Sequence, residues 1–206
     1  EDSVVGFYIT LAPHEEKTIY YWMVVASSIK EAIDVNNYVL IKKPEHLIRT
    51  TRDYWHAWVN KYTFNFYGMT VDEIALFKRS LLLMRGLSDN HGAIIASADS
   101  DMLQNGRDTY SYMWPRDGAF SARSFNMVGE HNVAERFFQF CNNVIDDSGY
   151  FMHKYLPDES LGSSWHPWIL DGKIEFPIQE DETALVLIAL WHHYEQSKDL
   201  EFIEQV

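Results

Sequence analysis

Eight residues, Tyr110-Ser-Tyr-Met-Trp-Pro-Arg-Asp117, bring three aromatic rings, one guanidinium and one carboxylate together just ahead of a helical pattern. Such a set suits a polyhydroxylated ring. Aromatic faces cover apolar C–H patches, while a fixed Arg and Asp donate to and accept from neighbouring hydroxyls. The same residues can instead build a buried aromatic loop in which Arg116 and Asp117 pair with each other. A second run, Ile178-Gln-Glu-Asp-Glu-Thr183, opens another helical pattern and favours the sugar-binding use. Its carboxylates do not form an inverting acid–base pair among themselves. Such chemistry needs two groups roughly 6.5–9.5 Å apart on opposite sides of a bond, and consecutive helical residues fan out by about 100° each. Glu180 and Glu182 are therefore expected to complement the helix N-terminus, and Asp181 to cap it while facing the site. His192 and His193 are adjacent rather than i,i+4, so they are expected on the solvent side and not as joint metal ligands.

Residues that do chemistry need elements to hold them. Val4–Leu11 and Thr18–Ala26 are β-rich around a turn signal at Pro13-His-Glu-Glu-Lys17, and they read as a hairpin of a β domain. Two strands are marginal alone, so they are expected to finish a sheet begun upstream. Ser28-Ile-Lys-Glu31 is a capping box, and Pro44 opens a second helix. Thr70-Val-Asp-Glu73 starts a third, with Ile74, Phe77, Leu81 and Met84 on one stripe and Gly86 at its end. Further helices are predicted over 117–128 and 132–145, the latter with Val133, Phe137, Phe140, Cys141 and Val144 inward. A helix over 181–195 is expected to face inward through Leu185, Ile188 and Trp191, and another starts near Asp199. Phe137, Phe138 and Phe140 read as core.

The connections alternate in length. Residues 87–116 and 146–180 form long loops, whereas 129–131 and 196–198 are short. Long loops inside a compact domain are usually functional. Their alternation places both at one end of an antiparallel helix array, so that Asp117 and Asp181 open helices on the same face. These aspartates are 64 residues apart, the span of one helical hairpin. The pattern suits an α/α toroid of alternating inner and outer helices, of which a closed ring of six hairpins needs about 400 residues.

Composition narrows the partners. Lys and Arg number 17 against 30 Asp and Glu, for a net charge of −13, which disfavours nucleic acid and anionic membrane surfaces. Seven Trp and twelve Tyr favour stacking surfaces as well as cores. The single Cys141 excludes an intrachain disulfide and a cysteine-based zinc site. There is no run of about 18 apolar residues and no Gly-rich phosphate loop. No signal peptide is visible, which weighs toward the cytoplasm. The chain opens at Glu1 without Met, however, so an earlier segment is expected.

Tyr110-x-Tyr-x-Trp-Pro-Arg-Asp-Gly118, Gly162-Ser-Ser-Trp-His-Pro-Trp168 and Pro177-Ile-Gln-Glu-Asp-Glu-Thr-Ala-Leu185 resemble the prokaryotic branch of glycoside hydrolase family 15, which holds glucoamylases, glucodextranases and some trehalases. The resemblance implies a mainly α chain. Residues 1–28 would end a β-sandwich, 29–69 would form a helical linker, and 70–206 would form the first part of an (α/α)6 barrel. It implies that Tyr110, Trp114, Arg116 and Asp117 grip the non-reducing-end glucose of an oligo- or polysaccharide, with Gln179 and Asp181 beside that subsite. It implies inversion by two glutamates that lie beyond Val206, no cofactor and no metal, with the remaining polypeptide completing the barrel. The Trp that the fungal branch has shortly before this Gln is missing, and Glu175 and Phe176 occupy its neighbourhood. Trp165 or Trp168 is the candidate replacement for its stacking face. His166 is expected to serve either loop ordering or ligand contact, and Lys154 is expected to line an outer subsite. Hydrolysis of terminal α-glucosidic bonds is the expected activity, with trehalase or glucodextranase as the family alternatives. A glucan-binding module without a glutamate pair is the alternative from another class.

Overall fold

The computed structural model describes residues 4–98, 109–164 and 169–206, and the chain is mainly α-helical. It divides into two compact units, Glu1–Trp58 and Val59–Val206. The division falls inside the 29–69 stretch that reads as a linker.

In the first unit, helix α1 (Ile29–Lys42) starts where Ser28 Oγ accepts from the Glu31 N–H at 3.2 Å. Glu31 reaches back one residue further than a capping box requires, accepting from the Ser27 N–H and hydroxyl at 3.0 and 2.6 Å. Both bonds hold its carboxyl below the usual range. Lys43, with φ 67°, breaks the helix, and α2 (Pro44–Val59) begins on proline, which lacks the N–H that a first turn leaves unpaired. Edge-on aromatic contacts join Tyr54 to Trp55 at 5.1 Å and Trp55 to Trp58 at 5.9 Å. The expected N-terminal hairpin is not formed. A turn does sit at Pro13-His14, but residues 4–27 carry no strand and most of them are exposed. The reason is the marginal stability of two isolated strands: their apolar side chains find no third strand or layer here.

The second unit opens with α3 (Val71–Gly86), whose capping box is complete. Thr70 Oγ1 accepts from the Glu73 N–H at 3.3 Å, and Glu73 accepts from the Thr70 N–H at 2.7 Å. Its predicted stripe is the least exposed face, and Phe77 meets Phe64 and Phe66 edge-on. Helices α4 (Pro115–Met127), α5 (His131–Val144) and α6 (Glu180–Ser197) make the core, and α7 (Leu200–Gln205) follows. Helices α4 and α6 run parallel: Arg116 meets Asp181 at their starts, and Asn126 meets His193 near their ends. Helix α5 returns antiparallel, its rings of Phe137, Phe138 and Phe140 fully enclosed. Gly118 is required by this packing. A Cβ there would stand 2.1 Å from the Phe137 ring, so the glycine ending the Trp-Pro-Arg-Asp-Gly run lets α5 press against α4.

The buried face of α6 differs from the expected one. Glu182, Val186, Ala189 and His193 are buried, whereas Ile188 and Trp191 are 49% and 58% exposed. Apolar residues surround this helix on several sides, so hydrophobicity does not single out the inward stripe, and two of the inward residues are polar.

The two long loops are knitted together. Single antiparallel bridges link Ile95 to Met113, Met113 to Tyr155 and Tyr155 to Leu161. Met113 and Tyr155 exchange both backbone hydrogen bonds at 2.9 Å. A short hairpin, β1 (Ile169–Leu170) with β2 (Lys173–Ile174), turns through Asp171 and Gly172 with φ of 51° and 75°. Both signs suit a tight hairpin turn.

Candidate sugar-binding site at the paired helix starts

The loop bridges fix Tyr110–Trp114 immediately before α4. Trp114 is the residue that precedes the helix, and its side chain is 3% exposed. Tyr110 lies 5.7 Å from it, Tyr112 6.0 Å and the His153 imidazole 6.1 Å, as measured between ring centres. Lys154 is buried, with Nζ 4.2 Å above the Tyr112 ring and 5.0 Å from Trp114. The cluster is thus a cation–π stack knitted to both loops. Tyr110, at 39% exposure, offers the more open ring, while Trp114 supports it from beneath.

The guanidinium is engaged by another helix start. Arg116 does not pair with its neighbour Asp117, the alternative that the sequence leaves open. Its Nη1 donates to both carboxylate oxygens of Asp181 at 3.0 Å. Burial works against the Arg116 charge, but the hydrogen bonds and charge of Asp181, helped by Glu182 and Asp117, outweigh it and hold the guanidinium above its usual range. Asp181 does not cap α6 either. Gln179 precedes that helix without a side-chain capping bond, and its Oε1 is buried with no partner among the described residues. Asp117 stands exposed beside the pair. Two helix starts therefore present a guanidinium, two carboxylates and an amide at one end of the array, where the helix dipoles also favour the carboxylates.

Other expected residues fall elsewhere. Glu175 is exposed in the chain after β2. Trp165, His166 and Trp168 lie outside the described residues. Two residues depart from their expected settings. His193 is fully buried rather than solvent-facing: its Nδ1 shares the Asn126 amide oxygen with His131 Nδ1, at 2.9 and 3.1 Å. Burial, with His131 adding to it and Asp199 opposing, pushes its pKa down. Glu182 is also fully buried, and among the described residues neither of its oxygens has a hydrogen-bond partner. Burial pushes its carboxyl up to about 8, with Asp181 and Asp117 reinforcing that and Arg116 opposing it. The sequence gives little sign of this, because a glutamate in the first turn of a helix is ordinarily a solvated partner of the dipole.

Among the described residues no three His, Cys, Asp or Glu side chains are gathered so as to hold a metal ion. No described helix is long and apolar enough to cross a membrane.

No protein family profile matches the chain, and no solved structure matches it. The chain is similar to a protein of Methanocaldococcus jannaschii named "Uncharacterized glycosyl hydrolase". The two are 23% identical over 171 residues, which is 81% of this chain and 25% of that protein. The chain thus spans about a quarter of the length of this relative.

Proposed function

We propose that this chain supplies the terminal-sugar grip of a glycoside hydrolase that releases glucose, with inversion, from the ends of α-glucosidic oligo- or polysaccharides. The observation that carries the reading is the Arg116–Asp181 pair beside an exposed Asp117. Donors and acceptors from two helix starts stand together at the end where both long loops gather. Similarity to a protein named as a glycosyl hydrolase supports the reaction class. In this reading Arg116 donates to sugar hydroxyls, Asp117 accepts from them, and Tyr110 covers a C–H face. The site orients the sugar; it does not break the bond. A general acid must protonate the glycosidic oxygen while a base-activated water attacks the anomeric carbon from the other side. Those two carboxyls would come from polypeptide beyond this chain, packed against the apolar surface that α6 exposes at Leu187, Ile188 and Trp191.

Asp117→Ala in the full-length protein tests the assignment. Activity on maltose and on a longer glucan should fall by about 10- to 100-fold, because a buried sugar hydroxyl loses its acceptor, while the far-ultraviolet dichroism is retained. Parental kinetics in that variant would remove Asp117 from the site. Residues 1–206 expressed alone should release no glucose from maltose, trehalose or starch, and turnover abolished by Glu175→Gln would place the catalytic pair within this chain.

A further inference from the structure

We infer that Glu182 is a positioning residue for Arg116: as an uncharged carboxyl buried between α4 and α6 it leaves the guanidinium facing outward on Asp181, and once charged it draws Arg116 inward. The consequence for sugar binding rests on the function proposed above; the placement of Arg116 does not.

The geometry carries this. Glu182 follows Asp181 in the first turn of α6, so the carboxylate that grips Arg116 and the enclosed carboxyl beneath it are neighbours in sequence. Glu182 is 0% exposed and neither oxygen is hydrogen-bonded among the described residues. A carboxylate in that setting costs far more than a carboxylic acid, because nothing replaces the water it has lost. Its electrostatic surroundings are set by Arg116 and Asp117 of α4 and by Asp181 of its own helix. From the knitted loops it faces Tyr155, whose phenol burial pushes up to about 12, with Cys141 of α5 and Glu182 itself contributing. Arg116 is the one cation in this set, and the two aspartates, Asp181 and Asp117, oppose a further negative charge. Glu182 accordingly keeps its proton at neutral pH, in the direction that burial alone dictates.

Arg116 has donors to spare. Its bonds to Asp181 both leave from Nη1, and neither Nη2 nor Nε is engaged among the described residues. A neutral Glu182 competes weakly for them. An ionised Glu182 offers two charged oxygens to the same guanidinium, and a charge-assisted bond outweighs a bond to a sugar hydroxyl. Rising pH should therefore withdraw Arg116 donors from the exposed face.

The test follows the Cζ resonance of Arg116, identified by its loss in Arg116→Lys, from neutral to alkaline pH without ligand. The expected result is a shift whose midpoint lies well above the ordinary carboxylate range and which is absent in Glu182→Gln. A resonance that stays flat, or that moves equally in Glu182→Gln, overturns the inference. If Glu182→Gln does not fold, the parental titration decides alone, since a flat curve still overturns it. A second arm measures maltose affinity at neutral and alkaline pH. The ratio should be about tenfold in the parent, the worth of one hydrogen bond, and close to one in Glu182→Gln. Should maltose not bind at any pH, the sugar-binding reading fails while the Arg116 titration still judges the positioning role.

Discussion

The parallel helices α4 and α6 meet through polar residues at both ends, and the two ends are built differently. At the far end Asn126 bridges His131 and His193, while Phe138 and Phe202 close around the His193 ring at 5.6 and 5.2 Å. The Asn126 amide oxygen serves both imidazoles inside the core, while Asn126 Nδ2 and His193 Nε2 are buried without a hydrogen-bond partner among the described residues. At the near end Arg116 and Asp181 pair in the open, Asp117 faces solvent, and Glu182 is enclosed without a hydrogen-bond partner among the described residues. Similar side-chain chemistry thus has opposite uses. Where neighbours close over the polar groups they fix the register of the helices. Where donors and acceptors are left over at the surface they are suited to a ligand.

The largest effect should come from loosening what both ends share. Phe137 fills the space above Gly118, so Phe137→Ala should cost about 3–5 kcal/mol in denaturant unfolding; a loss under about 1 kcal/mol would mean that α5 does not clamp α4. Next in size is the near end. Asp181→Asn should weaken maltose binding by about 10- to 100-fold through the lost hold on Arg116, yet change stability by less than about 1 kcal/mol, because the pair is solvent-exposed. Calorimetry and unfolding on the same variant separate the two effects. The far end should behave in reverse. Asn126→Ala should cost about 1–2 kcal/mol of stability by stranding two imidazoles, with maltose affinity unchanged.

The remaining expectation is a pH slope. The Glu182 carboxyl is raised to about 8 from an ordinary value of 4.5. The folded state therefore binds more protons than the unfolded state between these values. The contribution of Glu182 is fully present below the ordinary value and is lost as pH rises through the folded one. Unfolding free energy should fall across that window, and Glu182→Gln should flatten the fall. An equal slope in the variant would assign it to other groups.

Much of this arrangement is legible in the sequence. Caps at Ser28, Thr70 and Asp199 mark helix starts because their side chains accept first-turn N–H groups, and each does so here. The spacing of Phe137, Phe140 and Cys141 gives the inward face of α5. Alternating loop lengths bring Asp117 and Asp181 to one end, and the Arg116–Asp181 bond bears this out. The inward face of α6 is not legible, because Glu182 and His193 lie on it while exposed Ile188 and Trp191 imitate a core stripe. The burial of Trp114 is not legible either, since an aromatic run reads equally well as a platform or as packing. The hairpin at Asp171-Gly172 does carry a sequence signal, a turn pair between apolar residues, which the strand lengths of two residues make easy to pass over.

The contrast between the ends is tested most directly by titrating maltose into the protein while following two side chains at once, the Arg116 Cζ resonance and the His193 ring. A saturable shift is expected at Arg116, removed by Asp181→Asn, with the His193 signals unmoved. Shifts at His193 without any at Arg116 would contradict it.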